Sequence, residues 1–593
     1  MSATHYYSDD KSAQMVIALL KAHGIKKVIA NPGTTNIAIV GSVQNDPWFE
    51  VYSGIDERHS AYMAVGMAAE TGRPVVLSCT GATASRNYLP ALTEAYYRKL
   101  PVLAIPSMQN FDNVGQLSPQ AIDRTAFPKD AVIKSFQLRA AATDRELKVF
   151  ARRINEAILE LKRHGGGPVH INLEMGRSLT FKTERLCAPR KIERIDAAGL
   201  SFAPKIGKGT KVAVFFGSGR IDEKAWTAFA NSHDAVAFVD GGSSYCGPNA
   251  IHASLICSQH GFKANPKYAG LKPDLIVDAG EVSGDYPTLG YFADSAPVWR
   301  VSPDGEIRDR FGRLEHVFEM PAKMFAGSYL ATDPVPRKTY YEAWEAAVLG
   351  IADAARKADL PFSNPFMARE LSSRLPENSV VHFGILNSLR AWNIFPVPGG
   401  KGIRTYCNVG GFGIDGALST LIGSSIVSPQ TLHFGIVGDL AFFYDMNALG
   451  NRHIGKNLRI LLVNNGCGTE FNMSFHPGSQ FGERTNEYIA AGRHFGNRSR
   501  AVAKAYVEAL GFRYLSADGA NEFMERIDEF VAKDVSRPIV FECFTVPKDE
   551  SDAYAILHSL DSYDVQSGMM PKIKGLVPNR IKSAAKVLLG TES

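Results

Sequence analysis

Short runs of aliphatic residues alternate along the chain with longer segments of helical periodicity. The runs are "KKVIANPG" (26–33), "RPVVLSCTG" (73–81), "LPVLAIPS" (100–107), "KVAVFFGSG" (211–219), "PDLIVDAGE" (273–281), "SVVHFGI" (379–385), "TLHFGIVGD" (431–439), "RILLVNNG" (459–466) and "RPIVFECFTV" (537–546). Runs rich in Val and Ile that break before a helix-like segment are the pattern of strands in parallel sheets. The expected fold class is α/β, with three domains, each an open and mostly parallel sheet flanked by helices. Apolar periodicity lapses in "FKTERLCAPRKIERIDAAG" (181–199) and in "AGSYLATDPVPRKTYYEAW" (326–344). Domains are therefore expected over 1–185, 200–340 and 355–548. In the tail, 549–593, "KIKGLVPNRIKSAAKVLLG" is a candidate docked helix.

Composition narrows the class. A chain of 593 residues exceeds one core, and 45% hydrophobic with 21% charged residues is globular. A net charge of +5 is weak for this length, and no basic cluster interleaved with aromatics marks a nucleic-acid track. Seven cysteines without a CxxC pair fit reduced thiols. The polar start "MSATHYYSDDKSAQM" and the lack of a long apolar run point to a cytoplasmic protein with no membrane partner.

Chemistry enters at "GDLAFFYDMNALGNRHIGKNLRILLVNN" (438–465). Ligands of open parallel sheets sit beyond the carboxyl ends of strands, where helix N-termini present free N–H groups. Asp439 at one strand end and Asn464–Asn465 at the next offer hard oxygen donors suited to Mg²⁺ and a diphosphate. Alone, Asp439 reads first as a helix cap and the asparagines as a strand terminator.

The spacing resembles the shared motif of the thiamine-diphosphate (ThDP) enzymes, which runs from Gly-Asp-Gly to Asn-Asn. Here the third position is Leu440, as in the SEPHCHC synthases of menaquinone synthesis, whose following helix is also similar to "VGDLAFFYDMNAL". The resemblance implies ThDP contacts from Gly438, Asp439, Leu440, Ala441, Asn465, Cys467 and Gly468. It further implies Mg²⁺ held by the side chains of Asp439 and Asn465 and the carbonyl of Cys467. The segment 54–107 resembles the family's pyrimidine-binding domain, with Glu57 in place of the glutamate that hydrogen-bonds the aminopyrimidine. That bond stabilises the imino tautomer, whose nitrogen deprotonates thiazolium C2. Alone, Glu57 reads as a first-turn charge on a helix dipole. "CNVGGFGIDGALSTLIG" (407–423) is similar to the segment that bends the cofactor, which places Gly413 and Ile414 against it. The middle domain's "FFGSGR" and "VDAGE" look Rossmann-like, but a lone Gly-x-Gly is no dinucleotide fingerprint, and a structural role is expected.

Similarity to the SEPHCHC synthases continues in "SPQAIDR" (118–124), "LNSLRAW" (386–392) and "WRVSPDGEIRDRFGR" (299–313), and implies that Gln120 faces substrate. The departures matter more. Where those synthases have Ser-Arg after Pro-Gly, this chain has Thr34–Thr35, and two further arginines align with Trp392 and Val409, although Arg390 lies two residues from the former. Bidentate carboxylate binding is specific to arginine, so isochorismate is not the expected acceptor, and a neutral hydroxylated compound fits better. Glu470 falls where the synthases are apolar and is a candidate proton relay or hydroxyl ligand; His476 and His494 read first as surface residues. Pyruvate decarboxylases carry paired histidines where this chain has "SMQNFDNVGQ".

The expected function is a ThDP- and Mg²⁺-dependent carboligase. It would decarboxylate a small 2-oxo acid such as pyruvate and pass the acyl unit to a carbonyl acceptor, for example a keto sugar. The alternatives are a non-ligating decarboxylase that releases an aldehyde and an assembly protein that binds ThDP without turnover. Family resemblance implies a homodimer or homotetramer with active sites between subunits; Thr34, Gln120, Glu470 and Arg390 are the substrate-side candidates.

Overall fold

The computed structural model describes residues 6–563 except 109, 177–179, 220, 244, 332–337 and 495–498. The tail helix expected after 563 lies outside the described residues. Two compact units emerge: residues 1–199 with 305–319, and residues 200–304 with 320–593.

In the first unit, β1 (Lys27–Ala30), β2 (Glu50–Ser53), β3 (Val75–Thr80), β4 (Val102–Met108), β5 (Lys134–Leu138) and β6 (Val169–Glu174) form one sheet in the order β2-β1-β3-β4-β6-β5. All its pairings are parallel. Successive residues of the central strands feed opposite faces. Val76, Leu103, Ile105 and Ile171 pack with residues of helices Lys11–Ala22 and Asp144–Glu160, whereas Val75, Leu77, Val102 and Ala104 pack with residues of helices Glu57–Thr71 and Leu89–Tyr97. Each such aliphatic side chain contributes about 1.5–3 kcal/mol on burial, which explains why these strands read as unbroken apolar runs.

A smaller parallel pair, β7 (Glu193–Asp196) with Leu314–Glu319, completes this unit. Ion pairs surround it. Arg163, with a 9% exposed side chain, reaches Glu306 at 2.8 Å and Glu160 and Glu319 at 3.3 Å. Arg194 reaches Glu160 at 2.9 Å, and Arg190 reaches Asp309 at 3.0 Å.

The second unit holds β8 (Lys211–Phe216), β9 (Asp234–Val239), β10 (Ala250–Ile251), β11 (Leu275–Asp278) and β12 (Val298–Ser302), in the order β10-β9-β8-β11-β12, and we number Leu314–Glu319 of the first unit β13. It also holds β14 (Val380–Phe383), β15 (Arg404–Cys407), β16 (His433–Gly438), β17 (Leu458–Asn464), β18 (Arg513–Ala517) and β19 (Ile539–Phe544), ordered β15-β14-β16-β17-β19-β18. Counted from its own first strand, this last sheet repeats the order of the first. In both, the strand sequence reverses direction between the first and third strands, β1 and β3 or β14 and β16, which is where open α/β sheets bind ligands. The fold is three parallel α/β sheets flanked by helices. Among the described residues no helix is long and apolar enough to cross a membrane.

Candidate active site

At the reversal point of the third sheet, β16 ends at Gly438 and the chain turns into the short helix Asp439–Asp445. The Asp439 side chain is 2% exposed; Oδ1 accepts from the Leu440 amide at 2.9 Å, while Oδ2 has no partner among the described residues. Desolvation pushes its pKa up to about 7, opposed by the Leu440 N–H bond and reinforced by Glu542.

Adjacent β17 ends at Asn464, and its two asparagines divide the labour. Asn464 Oδ1 accepts from the Gly466 amide at 3.2 Å, closing a turn in which Gly466 adopts φ +77°, a conformation that favours glycine. Asn464 Nδ2 donates to Glu542 Oε1 at 2.7 Å. Asn465 Oδ1 is buried without a partner among the described residues. The next adjacent strand end thus supplies a second orphaned oxygen. Buried polar atoms are nearly always satisfied, so two unsatisfied oxygens from neighbouring strand ends are what a cation would complete. Among the described residues no three His, Cys, Asp or Glu side chains cluster; carboxylate and amide oxygens form a hard donor set that fits Mg²⁺.

Cys467 is buried, and burial raises its thiol pKa. Its carbonyl accepts from the Thr469 amide at 2.9 Å, which leaves one lone pair. The Gly468 amide donates to the Ala490 carbonyl at 2.6 Å, and a Cβ on Gly468 would lie 3.3 Å from Leu440 Cδ1, so Leu440 covers the Gly468 backbone. Ala441 is buried in the core beneath, against which the partly buried Ile414 packs. Gly413 is exposed, and a Cβ there would lie 2.3 Å from Asp415 Oδ1.

The structure joins two substrate-side candidates to each other. Arg390 Nη1 donates to Glu470 Oε2 at 2.6 Å and Nη2 to Oε1 at 3.0 Å, with side chains 18% and 13% exposed. Asn387 Oδ1 accepts from Nη1 at 2.7 Å, and the guanidinium carbon lies 5.2 Å from the Phe475 ring centre. Trp392 and Val409 are 1% and 2% exposed. His476 Nδ1 accepts from the Gly478 amide at 3.0 Å, a capping role, and His494 is exposed. A cavity of about 1100 Å³ in the second unit is lined by Tyr245, His252, Arg356, Phe383 and Trp392, and none of the predicted site residues borders it.

In the first unit Glu57 is half-buried and opens helix Glu57–Thr71, capped by Asp56, which accepts from the His59 amide at 2.8 Å. Its charge acts on Cys79 and Tyr88. The Tyr88 hydroxyl donates to Asn31 Oδ1 at 3.0 Å, and Asn31 Nδ2 donates to Ser60 Oγ at 2.9 Å, tying this helix to the end of β1. Thr35 Oγ1 lies 2.6 Å from Thr80 Oγ1, linking the loop after β1 to the end of β3; Thr34 is exposed. Gln120 is exposed on a turn at φ +66° rather than on a helix.

Sequence reasoning missed Glu542. It lies fully buried in β19, with Oε1 on Asn464 and Oε2 accepting from the Tyr514 hydroxyl at 2.8 Å; burial raises its pKa. The available signal was a carboxylate inside the apolar run "RPIVFECFTV".

Residues 10–127 match the family model for the thiamine pyrophosphate enzyme N-terminal TPP-binding domain. The chain is 30% identical over 555 residues to a 2-succinyl-5-enolpyruvyl-6-hydroxy-3-cyclohexene-1-carboxylate synthase of Bacteroides fragilis, covering 91% of this chain and 97% of that protein. It is 31% identical over 557 residues to the synthase of Phocaeicola vulgatus, covering 91% and 96%, and 26% identical over 563 residues to that of Flavobacterium johnsoniae, covering 91% and 97%. With two sheets of one strand order and this similarity over nine-tenths of its length, the chain belongs to the thiamine-pyrophosphate-dependent enzymes that form carbon–carbon bonds.

Proposed function

We propose a ThDP- and Mg²⁺-dependent carboligase that decarboxylates a small 2-oxo acid such as pyruvate and transfers the acyl unit to a carbonyl acceptor, for example a keto sugar or another hydroxylated compound. The observation that carries this reading is the pair of orphaned buried oxygens, Asp439 Oδ2 and Asn465 Oδ1, at adjacent strand ends. These two side chains and the Cys467 carbonyl would hold Mg²⁺, and Gly438, Leu440, Ala441 and Gly468 would form the diphosphate cradle. Gly413 and Ile414 would border the cofactor. ThDP, when bound, supplies the electron sink that decarboxylation needs. Glu57 would hold a proton against its aminopyrimidine nitrogen. The homo-oligomer, a dimer or tetramer, would form each site from two subunits in the cytoplasm.

The acceptor reading draws on the side chains that stand where the relatives' arginines align and on Arg390 nearby. Trp392 and Val409 lie in the core, and Arg390 is engaged by Glu470. The pair would border the donor as a hydrogen-bonded unit, and Thr34 and Gln120, each exposed, remain the other substrate-side candidates. Purified protein with ThDP, Mg²⁺ and pyruvate is expected to release CO₂ and to yield a ligated product, by mass spectrometry, when hydroxylated carbonyl compounds are added. Stoichiometric free aldehyde, indifferent to every acceptor, would sink the proposal.

Glu542 acts on the metal site through Asn464. Glu542→Ala should raise the Mg²⁺ concentration for half-saturation about 10–100-fold, as losses behind metal ligands do. Titration of ThDP-loaded protein followed by intrinsic fluorescence reads the shift, and an unchanged midpoint would remove Glu542 from this role.

A further inference from the structure

A guanidinium with no counter-charge among the described residues stands beside the carboxyl end of β3 in the first sheet. Arg124 is 4% exposed, and its Nε, Nη1 and Nη2 meet no acceptor among the described residues. A Cβ on Gly81 would lie 3.1 Å from Nη2, so the group rests against the backbone that leaves β3. Cys79, Arg86 and His170 act on it electrostatically. None is an anion at neutral pH. Burial pushes the Cys79 thiol up to about 12, and burial followed by Arg124 itself drives His170 down to about 3. Arg86 is a second cation, engaged with the Asp123 carbonyl at 2.9 Å.

Taking an unpaired guanidinium out of water is expensive. Burial lowers the Arg124 pKa only to about 10, so the side chain stays charged at neutral pH. The fold thus maintains a fixed positive charge that its own described residues do not answer. Its position is informative. Gly81 follows the third strand of the first sheet as Asp439 follows the third strand of the last. Cys79, two residues before Gly81, feels the charges of both Glu57 and Arg124. Thr34–Thr35, which replace an arginine-bearing pair, lie in the loop that follows β1, and Thr35 is bonded across to Thr80.

We propose that Arg124 receives an anionic group, a carboxylate or a phosphate, carried by the small-molecule substrate, so that the hydroxylated acceptor bears a negative charge. A guanidinium matches both groups through paired N–H donors. The inference rests on the carboligase reading and corrects its neutral acceptor.

The test is thermal unfolding of the full-length protein with ThDP and Mg²⁺, comparing succinate and inorganic phosphate as probes with chloride at matched ionic strength. One probe should raise the melting temperature of the wild type, and which one does so identifies the group. Arg124→Met should abolish the rise, yet melt at or above the wild-type temperature without probe, because it removes an unanswered buried charge. Arg124→Lys should keep the rise but need about tenfold more probe, since an ammonium lacks the paired donors. No rise in the wild type, an undiminished rise in Arg124→Met, or a probe-free melting temperature of Arg124→Met several degrees below wild type would each overturn the proposal. Absence of CO₂ release with the probe response intact would instead count against the carboligase reading alone.

Discussion

Replacing Glu57 by glutamine is expected to cut donor-dependent CO₂ release by about 10²–10⁴-fold, the range of a lost acid–base group. Glutamine keeps the shape and a hydrogen bond but cannot exchange the proton. The alternative role of Glu57, a negative charge on the first turn of helix Glu57–Thr71, is worth only about 0.3–1 kcal/mol. The two roles therefore separate cleanly. A catalytic role predicts near-complete loss of headspace CO₂ with a melting temperature within a few degrees of wild type. Full CO₂ release by Glu57→Gln would refute the mechanism.

The second large effect belongs to Asp439, buried with one oxygen unanswered and a pKa pushed up to about 7 by desolvation. A carboxyl whose folded pKa lies above its unfolded value contributes stability that is present below about pH 4 and lost as pH rises through 7. Metal-free protein should accordingly lose stability over that window. Mg²⁺ with ThDP needs the deprotonated form, so its apparent affinity should fall up to about tenfold per pH unit below 7. Asp439→Asn should weaken Mg²⁺-dependent ThDP binding by about 100-fold, flatten the pH dependence and stabilise the metal-free protein. Calorimetric titrations from pH 5.5 to 8 decide this; a variant that binds as tightly as wild type would exclude Asp439 as a ligand.

Several strands buried on both faces were legible because burial leaves a continuous run. β3, β4, β16, β17 and β19 are buried along most of their length and were all expected, whereas β6, β9 and β12 are as buried and were missed. Edge strands β5, β15 and β18 alternate in exposure and mix polar residues, so no apolar run marks them. At the site, motif spacing reached Asp439 and Asn465 because adjacent parallel strands bring their ends together by construction. It could not foresee that Arg390 and Glu470, on separate elements, satisfy each other, since a pairing across the fold leaves no local signal. Gln120 drew attention by resemblance and lies exposed, whereas Arg124, four positions on, is buried.

The return of residues 305–319 to the first unit has a consequence for biosynthesis. Arg163 and Arg190 take counter-ions from Glu306, Glu319 and Asp309, which are translated more than a hundred positions later. A nascent chain emerging from the ribosome therefore cannot complete its first unit until the middle of the message has been read. Expression of 1–199 alone would deprive Arg190 of Asp309 and Arg163 of Glu306 and Glu319.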